Sequence, residues 1–246
     1  TASKLAELLT DETKFRGAVT SLNCENNLAM VGELQDYGYY LKTADVHAEV
    51  FKQLTDALKT SQVTEVNFSS CGIGPVALGH LSEWVREATG ALNSLKCANN
   101  PGMVGELKYG ELKTPDAHAE VFKQLTDNLK TSQVTEVDFS SCGIGPVALG
   151  HLSEWVRDAE GALTSINCLA NKFGEEDLAT LLTAIEGTSV RSLCGLTEGQ
   201  TTADFSGQNL GPIDMKIMAA EYGFQGFIGA VASLCCANNP GMVGEL

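Results

Sequence analysis

The chain of 246 residues carries 16 Lys and Arg against 31 Asp and Glu, a formal net charge of -15, with 43% hydrophobic and 19% charged residues. This is the composition of a folded protein, and its negative potential argues against nucleic acid phosphates and anionic lipid headgroups as partners. Apolar stretches such as Phe227 to Leu234 are broken by Gly, Ala and Ser and fall short of the roughly 20 residues a membrane helix needs, so no direct membrane insertion is expected.

The sequence opens on Thr1 without a basic and apolar leader, so a targeting segment is expected to be absent or already removed. Leu5 to Leu9 then reads as a helix ending a unit whose strand is missing, and Val19, Leu22, Cys24 and Asn27 as a short strand and its turn. An insertion runs from Asn27 to Tyr40. His47 to Thr60 forms an amphipathic helix with Val50, Phe51, Leu54 and Leu58 on one face, and Asp45 stands where its N-cap is expected. Val63-Thr-Glu-Val66-Asn-Phe68-Ser-Ser-Cys71-Gly-Ile73 places apolar or small residues at positions 1, 4, 6, 9 and 11. Positions 4 and 6 alternate with polar 3 and 5, so a short strand buries one face, and the Asn or Cys at position 9 satisfies or packs beneath the turning backbone. Pro75 suits the first turn of the next helix, where a missing N–H costs nothing. A further strand follows at Leu92, Leu95, Cys97 and Asn100, and a second insertion at Asn100 to Gly110.

The sequence then repeats itself. His118 to Cys168 matches His47 to Cys97 at 44 of 51 positions, with Asp116 and Pro146 standing for Asp45 and Pro75. The block divides into a unit of 29 residues (Val63 to Leu92) and one of 42 (Leu92 to Val134), the longer carrying the insertion. The eleven-residue template recurs at Val134, Val137, Phe139, Cys142 and Ile144, and at Leu163, Ile166, Cys168, Asn171 and Phe173. Looser copies lie at Ala203, Phe205, Gln208 and Leu210 and at Val231, Leu234, Cys236 and Asn239, and Val190 and Leu193 mark another. Expected boundaries are one solenoid over 1–246, an internal duplication at 47–117 and 118–188, and an irregular or degenerate repeat at 190–227.

This spacing resembles the leucine-rich-repeat family along nearly the whole chain. The alternation of Asn and Cys with helical connections looks like its ribonuclease-inhibitor-type branch, and the chain is similar to repeat proteins of algae and other protists. The resemblance implies an α/β fold, a horseshoe of about seven to eight repeats with a parallel β-sheet on the concave side and helices on the convex side.

Catalytic and cofactor chemistry finds little footing. Gly72-Ile-Gly74-Pro-Val-Ala77, repeated at Gly143, Gly145 and Ala148, has the form of a dinucleotide-binding turn, but the strand after its helix lacks the acidic residue that would hold a ribose. His47-Ala-Glu49 and His118-Ala-Glu120 have no Pro-Cys-x-x-Cys partner for a zinc deaminase, and His80 and His151 complete a set of histidines copied once, so no metal is expected. Nothing provides a context for an activated nucleophile. Glu175-Glu176-Asp177 offsets a helix dipole at its first turn. No cofactor is expected, and the chain is read as no enzyme. Cys24, Cys97, Cys168 and Cys236 at position 6, and Cys71 and Cys142 at position 9, are inward fillers, while Cys194 and Cys235 at position 5 are expected to be exposed. Buried free thiols favour a reducing intracellular or organellar compartment.

Thr64, Glu65, Asn67, Asn93, Ser94 and Lys96 place small polar groups on the inner face, without the aromatic or Arg anchors of a tight interface. Trp84 and Trp155 are assigned to the core. Aromatic residues gather instead in the insertions, and Tyr37, Tyr39, Tyr40 and Tyr109, with Met103 and Met242, are the candidate contacts for a protein partner. The resulting expectation is a protein-interaction scaffold, adaptor or subunit of a larger complex. The alternatives are a ligand-binding or regulatory domain of a longer receptor-like protein, and a dinucleotide-binding enzyme using the Gly-x-Gly turns.

Overall fold

The structure, a computed structural model, describes residues 2–10, 19–35, 40–88, 92–159, 163–224 and 226–243. Five strands, β1 (Ser21–Asn23), β4 (Glu65–Asn67), β5 (Ser94–Lys96), β8 (Glu136–Asp138) and β9 (Ser165–Asn167), form one parallel sheet in that order. Leu22, Val66, Leu95, Val137 and Ile166 stand side by side in register, so position 4 of the template forms one buried row. Helices α1 (Ala2–Thr10), α2 (Ala48–Leu58), α3 (Pro75–Glu87), α4 (Ala119–Leu129), α5 (Pro146–Asp158) and α6 (Glu175–Ile185) pack each on the next. The expected α/β class with a parallel sheet backed by helices is met.

The core lies between sheet and helices. Phe51 of α2 meets Phe68 edge-on, with ring centroids 5.1 Å apart, and Phe122 of α4 meets Phe139 at 5.3 Å in the duplicated block. Trp84 and Trp155 are fully buried, as their place on the helices suggests.

Beneath the turns runs a ladder of position-9 side chains. Asn100 Oδ1 accepts the N–H groups of Cys71 (3.1 Å) and Ile73 (3.0 Å) from the preceding unit, while its Nδ2 donates to the carbonyls of Phe68, Cys97 and Ala98. Asn171 repeats this with Cys142, Ile144 and Phe139. Between them the Cys71 and Cys142 thiols donate to the carbonyls of Cys24 and Cys97 at 3.0 and 3.1 Å. Buried backbone groups left open by the short strands thus find partners across unit boundaries.

The sheet breaks after β9. Ser192 still donates its N–H to Thr164 O, but beyond it only isolated bridges occur, and β10 (Thr202–Asp204) pairs instead with β11 (Ser233–Cys235) in a separate parallel pair. Glu221, from helix α7 (Pro212–Gly223), accounts for the break. Its Oε1 accepts the N–H groups of Leu193 and Cys194 and the Ser192 hydroxyl, fixing this stretch on the helix rather than in the ladder. Cys194 is consequently buried, at 2% exposure, correcting its expected exposure; Cys235 is exposed.

Candidate interaction surface

Each insertion is a β-hairpin rooted by a short turn, which in the first is the 3-10 turn Leu28–Met30. The first pairs β2 (Glu33–Leu34) with β3 (Leu41–Thr43), the second β6 (Glu106–Lys108) with β7 (Glu111–Thr114). Their roots are tied to the next unit: Val31 N–H donates to Cys71 O at 3.1 Å, and Val104 N–H to Cys142 O at 3.2 Å. Met103 lies in this root with 0% exposure, which corrects its assignment as a contact residue: it anchors the hairpin in the core.

The Gly-x-Gly turn serves this docking. Gly72 has φ +76°, and a Cβ there would come within 2.4 Å of Leu28 O; at Gly143, φ +78°, it would come within 2.5 Å of Pro101 O. Gly74 lies against the Asp45 carboxylate, where a Cβ would stand 2.6 Å from Oδ2. Asp45 does not cap its own helix, whose N-cap is His47. It reaches instead to the next unit, accepting the N–H groups of Gly74 (2.8 Å), Val76 (2.6 Å) and Ala77 (3.1 Å) at the start of α3. Asp116 does the same for Gly145, Val147 and Ala148 at α5. A phosphate seated in a turn of this form needs those same donors, so in this chain they are already satisfied by carboxylates and the dinucleotide reading loses its anion site. Asp177 and Asp214 play the cap within their own helices, each accepting the N–H of the preceding glycine, Gly174 or Gly211.

The two hairpins stand side by side. Gln35 Nε2 donates to Tyr109 O at 3.2 Å, and a Cβ on Gly110 would come within 2.5 Å of Leu41 O. At the tip of the second hairpin both turn residues are left-handed, Tyr109 at φ 58° and Gly110 at φ 85°. Such two-residue turns favour Asn-Gly, and a bulky side chain in this conformation is strained. Tyr109 is 85% exposed, with the Lys108 ammonium 5.3 Å from its ring centroid, and Tyr40, directly before β3 in the first hairpin, is 70% exposed. Ion pairs Lys42–Glu33 (3.1 Å) and Lys113–Glu106 (3.8 Å) flank the ridge. Tyr37 and Tyr39 lie outside the described residues. Met242 sits apart, half-buried in the 3-10 turn after β11.

The inner face carries a polar groove of about 520 Å³ above the strand ends, lined among others by Glu25, Asn67, Lys96, Asp138, Asn167 and Gln208. Most position-5 side chains there are occupied locally: Asn23, Asn67, Asp138 and Asn167 each accept the backbone N–H two residues on. That periodic use of Asn and Asp could have been found in the sequence as a turn signal. Among the described residues no group of His, Cys, Asp and Glu is arranged to hold a metal ion, and no helix is long and apolar enough to cross a membrane.

No family model and no curated protein matches the chain. Among solved structures it is similar to the tropomodulin C-terminal domain of Caenorhabditis elegans, at 14% identity over 76% of this chain and 92% of that one, with a TM-score of 0.48.

Proposed function

We propose that this chain is a leucine-rich-repeat scaffold of the ribonuclease-inhibitor-like type that binds a protein partner through its paired hairpins and has no catalytic role of its own. The observation that carries the reading is the pair of exposed tyrosines, Tyr40 and Tyr109, held on two hairpins that are rooted in the core and brace each other. Aromatic side chains on a stiff support supply contact area at small entropic cost. Strain at Tyr109 gives no benefit to folding, which points to selection for what the ring touches. With a net charge of -15, the partner's contact surface is expected to be neutral to basic.

The test is the native mass of the protein in extract of its source, with mass spectrometry of comigrating chains, for the wild type and for Tyr40→Ser/Tyr109→Asn. Migration in a larger complex whose companions are lost from the double variant supports the reading. Migration at about the chain's own 26.0 kDa removes the complex-subunit role.

A further inference from the structure

Position 5 of the strands uses one device along the inner face. Asn23, Asn67, Asp138, Asn167 and, in the separate pair, Asp204 each accept the backbone N–H two residues on with a side-chain oxygen, at 2.9 to 3.2 Å. At Cys194 the Ser192 hydroxyl takes over, accepting the Leu196 N–H at 2.9 Å, and after Cys235 the N–H belongs to Ala237, which is exposed to water.

Strand β5 departs from this. Lys96 stands at position 5 between Asn67 and Asp138 in register, and an ammonium accepts nothing. The N–H it leaves open, that of Ala98, has no acceptor among the described residues, although Ala98 is only 7% exposed. Buried backbone donors are nearly always paired, so this one marks a place for an oxygen. The exposed Lys96 ammonium makes no ion pair among the described residues. Lys96 and Ala98 both line the groove of about 520 Å³, a volume that suits a small ligand or a few docked side chains. The carboxylates in the same lining are engaged elsewhere: Asp138 accepts from the N–H and hydroxyl of Ser140 and from Asn167 Nδ2, and Glu25 from Asn67 Nδ2.

The internal duplication singles out the same face. Of the seven differences between the blocks that begin at His47 and His118, three (Asn67/Asp138, Asn93/Thr164 and Lys96/Asn167) fall on the six positions numbered 2, 3 and 5 in the two strands, and four on the other 45. Undirected drift would collect on the exposed helix positions instead, so the inner face has been remade on a scaffold that was kept. In the second block Asn167 supplies its oxygen to Leu169; in the first, Lys96 replaces that oxygen with a positive charge.

We infer that Lys96 and the Ala98 N–H form a carboxylate-binding site on the inner face, separate from the hairpins. One ligand oxygen accepts from the Ala98 N–H, in the place that Asn167 Oδ1 takes for Leu169, and the carboxylate forms a charge-assisted bond with the Lys96 ammonium. Asp138 and Glu25 in the groove disfavour a dianion such as sulfate, so a single negative charge is selected, and their remaining lone pairs suit hydroxyl or amide donors on the same ligand. The carboxylate comes from a small polar acid or from an Asp or Glu side chain of a docked polypeptide.

The test titrates the intact, isotope-labelled protein with sodium lactate and, separately, with the peptide acetyl-Gly-Glu-Gly-amide at constant ionic strength, reading the Ala98 amide resonance by NMR. A saturable shift in the millimolar range is expected with at least one probe, and the one that saturates at lower concentration identifies the source. Lys96→Asn copies Asn167 and is expected to fold, which circular dichroism checks. With its own oxygen on the Ala98 N–H, this variant should slow hydrogen exchange at that amide and bind either probe at least about tenfold more weakly. Absence of a saturable shift with both probes, equal binding by Lys96→Asn, unchanged exchange at Ala98 in that variant, or an equal response to sodium sulfate overturns the inference.

Discussion

Asp45 holds Val76 across a unit boundary, its Oδ2 accepting the Val76 N–H at 2.6 Å while Oδ1 serves Gly74 and Ala77. One side chain thus caps the helix of the following unit and pins the root of its own hairpin against it. Removing it strands three donors at the first turn of α3. Asp45→Ala, and Asp116→Ala at the second copy, are each expected to lower unfolding stability by about 1–3 kcal/mol in urea titrations, with Asn retaining part of the loss. Amide exchange should accelerate at Val76 and Ala77 and remain slow within α2; uniform acceleration would show that the carboxylate has no local capping role.

Asn100 and Asn27 occupy the same template position in different company. Asn100 Oδ1 serves two buried N–H groups of the preceding unit, whereas Asn27 bonds only its own turn. Asn100→Ala is expected to cost roughly 3 kcal/mol or more, because Cys71 and Ile73 keep buried donors without acceptors, and Asn27→Ala less than about 1 kcal/mol. Chemical denaturation of the two variants checks the contrast, and equal losses would refute the cross-unit account.

Much of this architecture is legible in the sequence because each unit needs the same few solutions. The alternation of Val66 and Phe68 with polar neighbours gives the strand, the spacing of Phe51, Leu54 and Leu58 gives the helix, and Asn or Cys at position 9 gives the ladder. What was hidden concerns pairs distant in sequence. Asp45 looks like the cap of the helix just after it, since local pattern carries no information about a turn 29 residues away. Met103 looks like a loop methionine because its burial depends on where the hairpin root docks. Glu221, on a helix without a clear apolar face, carries no periodic signal, yet it takes the donors at the point where the sheet breaks. The tyrosines of the hairpins were legible as composition alone; that the hairpins stand together follows from the Gln35 to Tyr109 bond and the close approach of Gly110 to Leu41.

Thiol reactivity should follow burial. Burial pushes the Cys71 thiol up to about 12 and raises Cys24, Cys97, Cys142, Cys168 and Cys194 as well, while Cys235 is exposed and Cys236 intermediate. The native protein at neutral pH is expected to release one equivalent rapidly with a disulfide reagent, from Cys235, and a second slowly from Cys236; the remaining thiols should react only after unfolding. Cys235→Ser should remove the fast phase. A fast phase persisting in that variant would mean that a ladder cysteine is reached in the folded state.

Glu221 gives a pH dependence opposite to that of an ordinary paired carboxylate. It is fully buried, with Ser192, Leu193 and Cys194 on Oε1 and no hydrogen-bond partner for Oε2 among the described residues, and its titratable neighbours are the thiols of Cys168 and Cys194. Burial raises its carboxyl above the usual 4.5, an effect larger than the opposing hydrogen bonds. The folded state therefore binds the proton more tightly than the unfolded chain, so this contribution to stability is complete below the unfolded value and is lost as pH rises through the folded one. Glu221→Gln keeps an oxygen for the three donors and removes the titration. Relative to the wild type, the variant should gain stability as pH rises from near 4.5 through the raised folded value, read as a widening difference in urea midpoint. Because Asp214 shifts in the same direction and is present in both proteins, it cancels from that difference. Parallel curves, or a gap that opens on acidification instead, would show that Glu221 carries no buried proton.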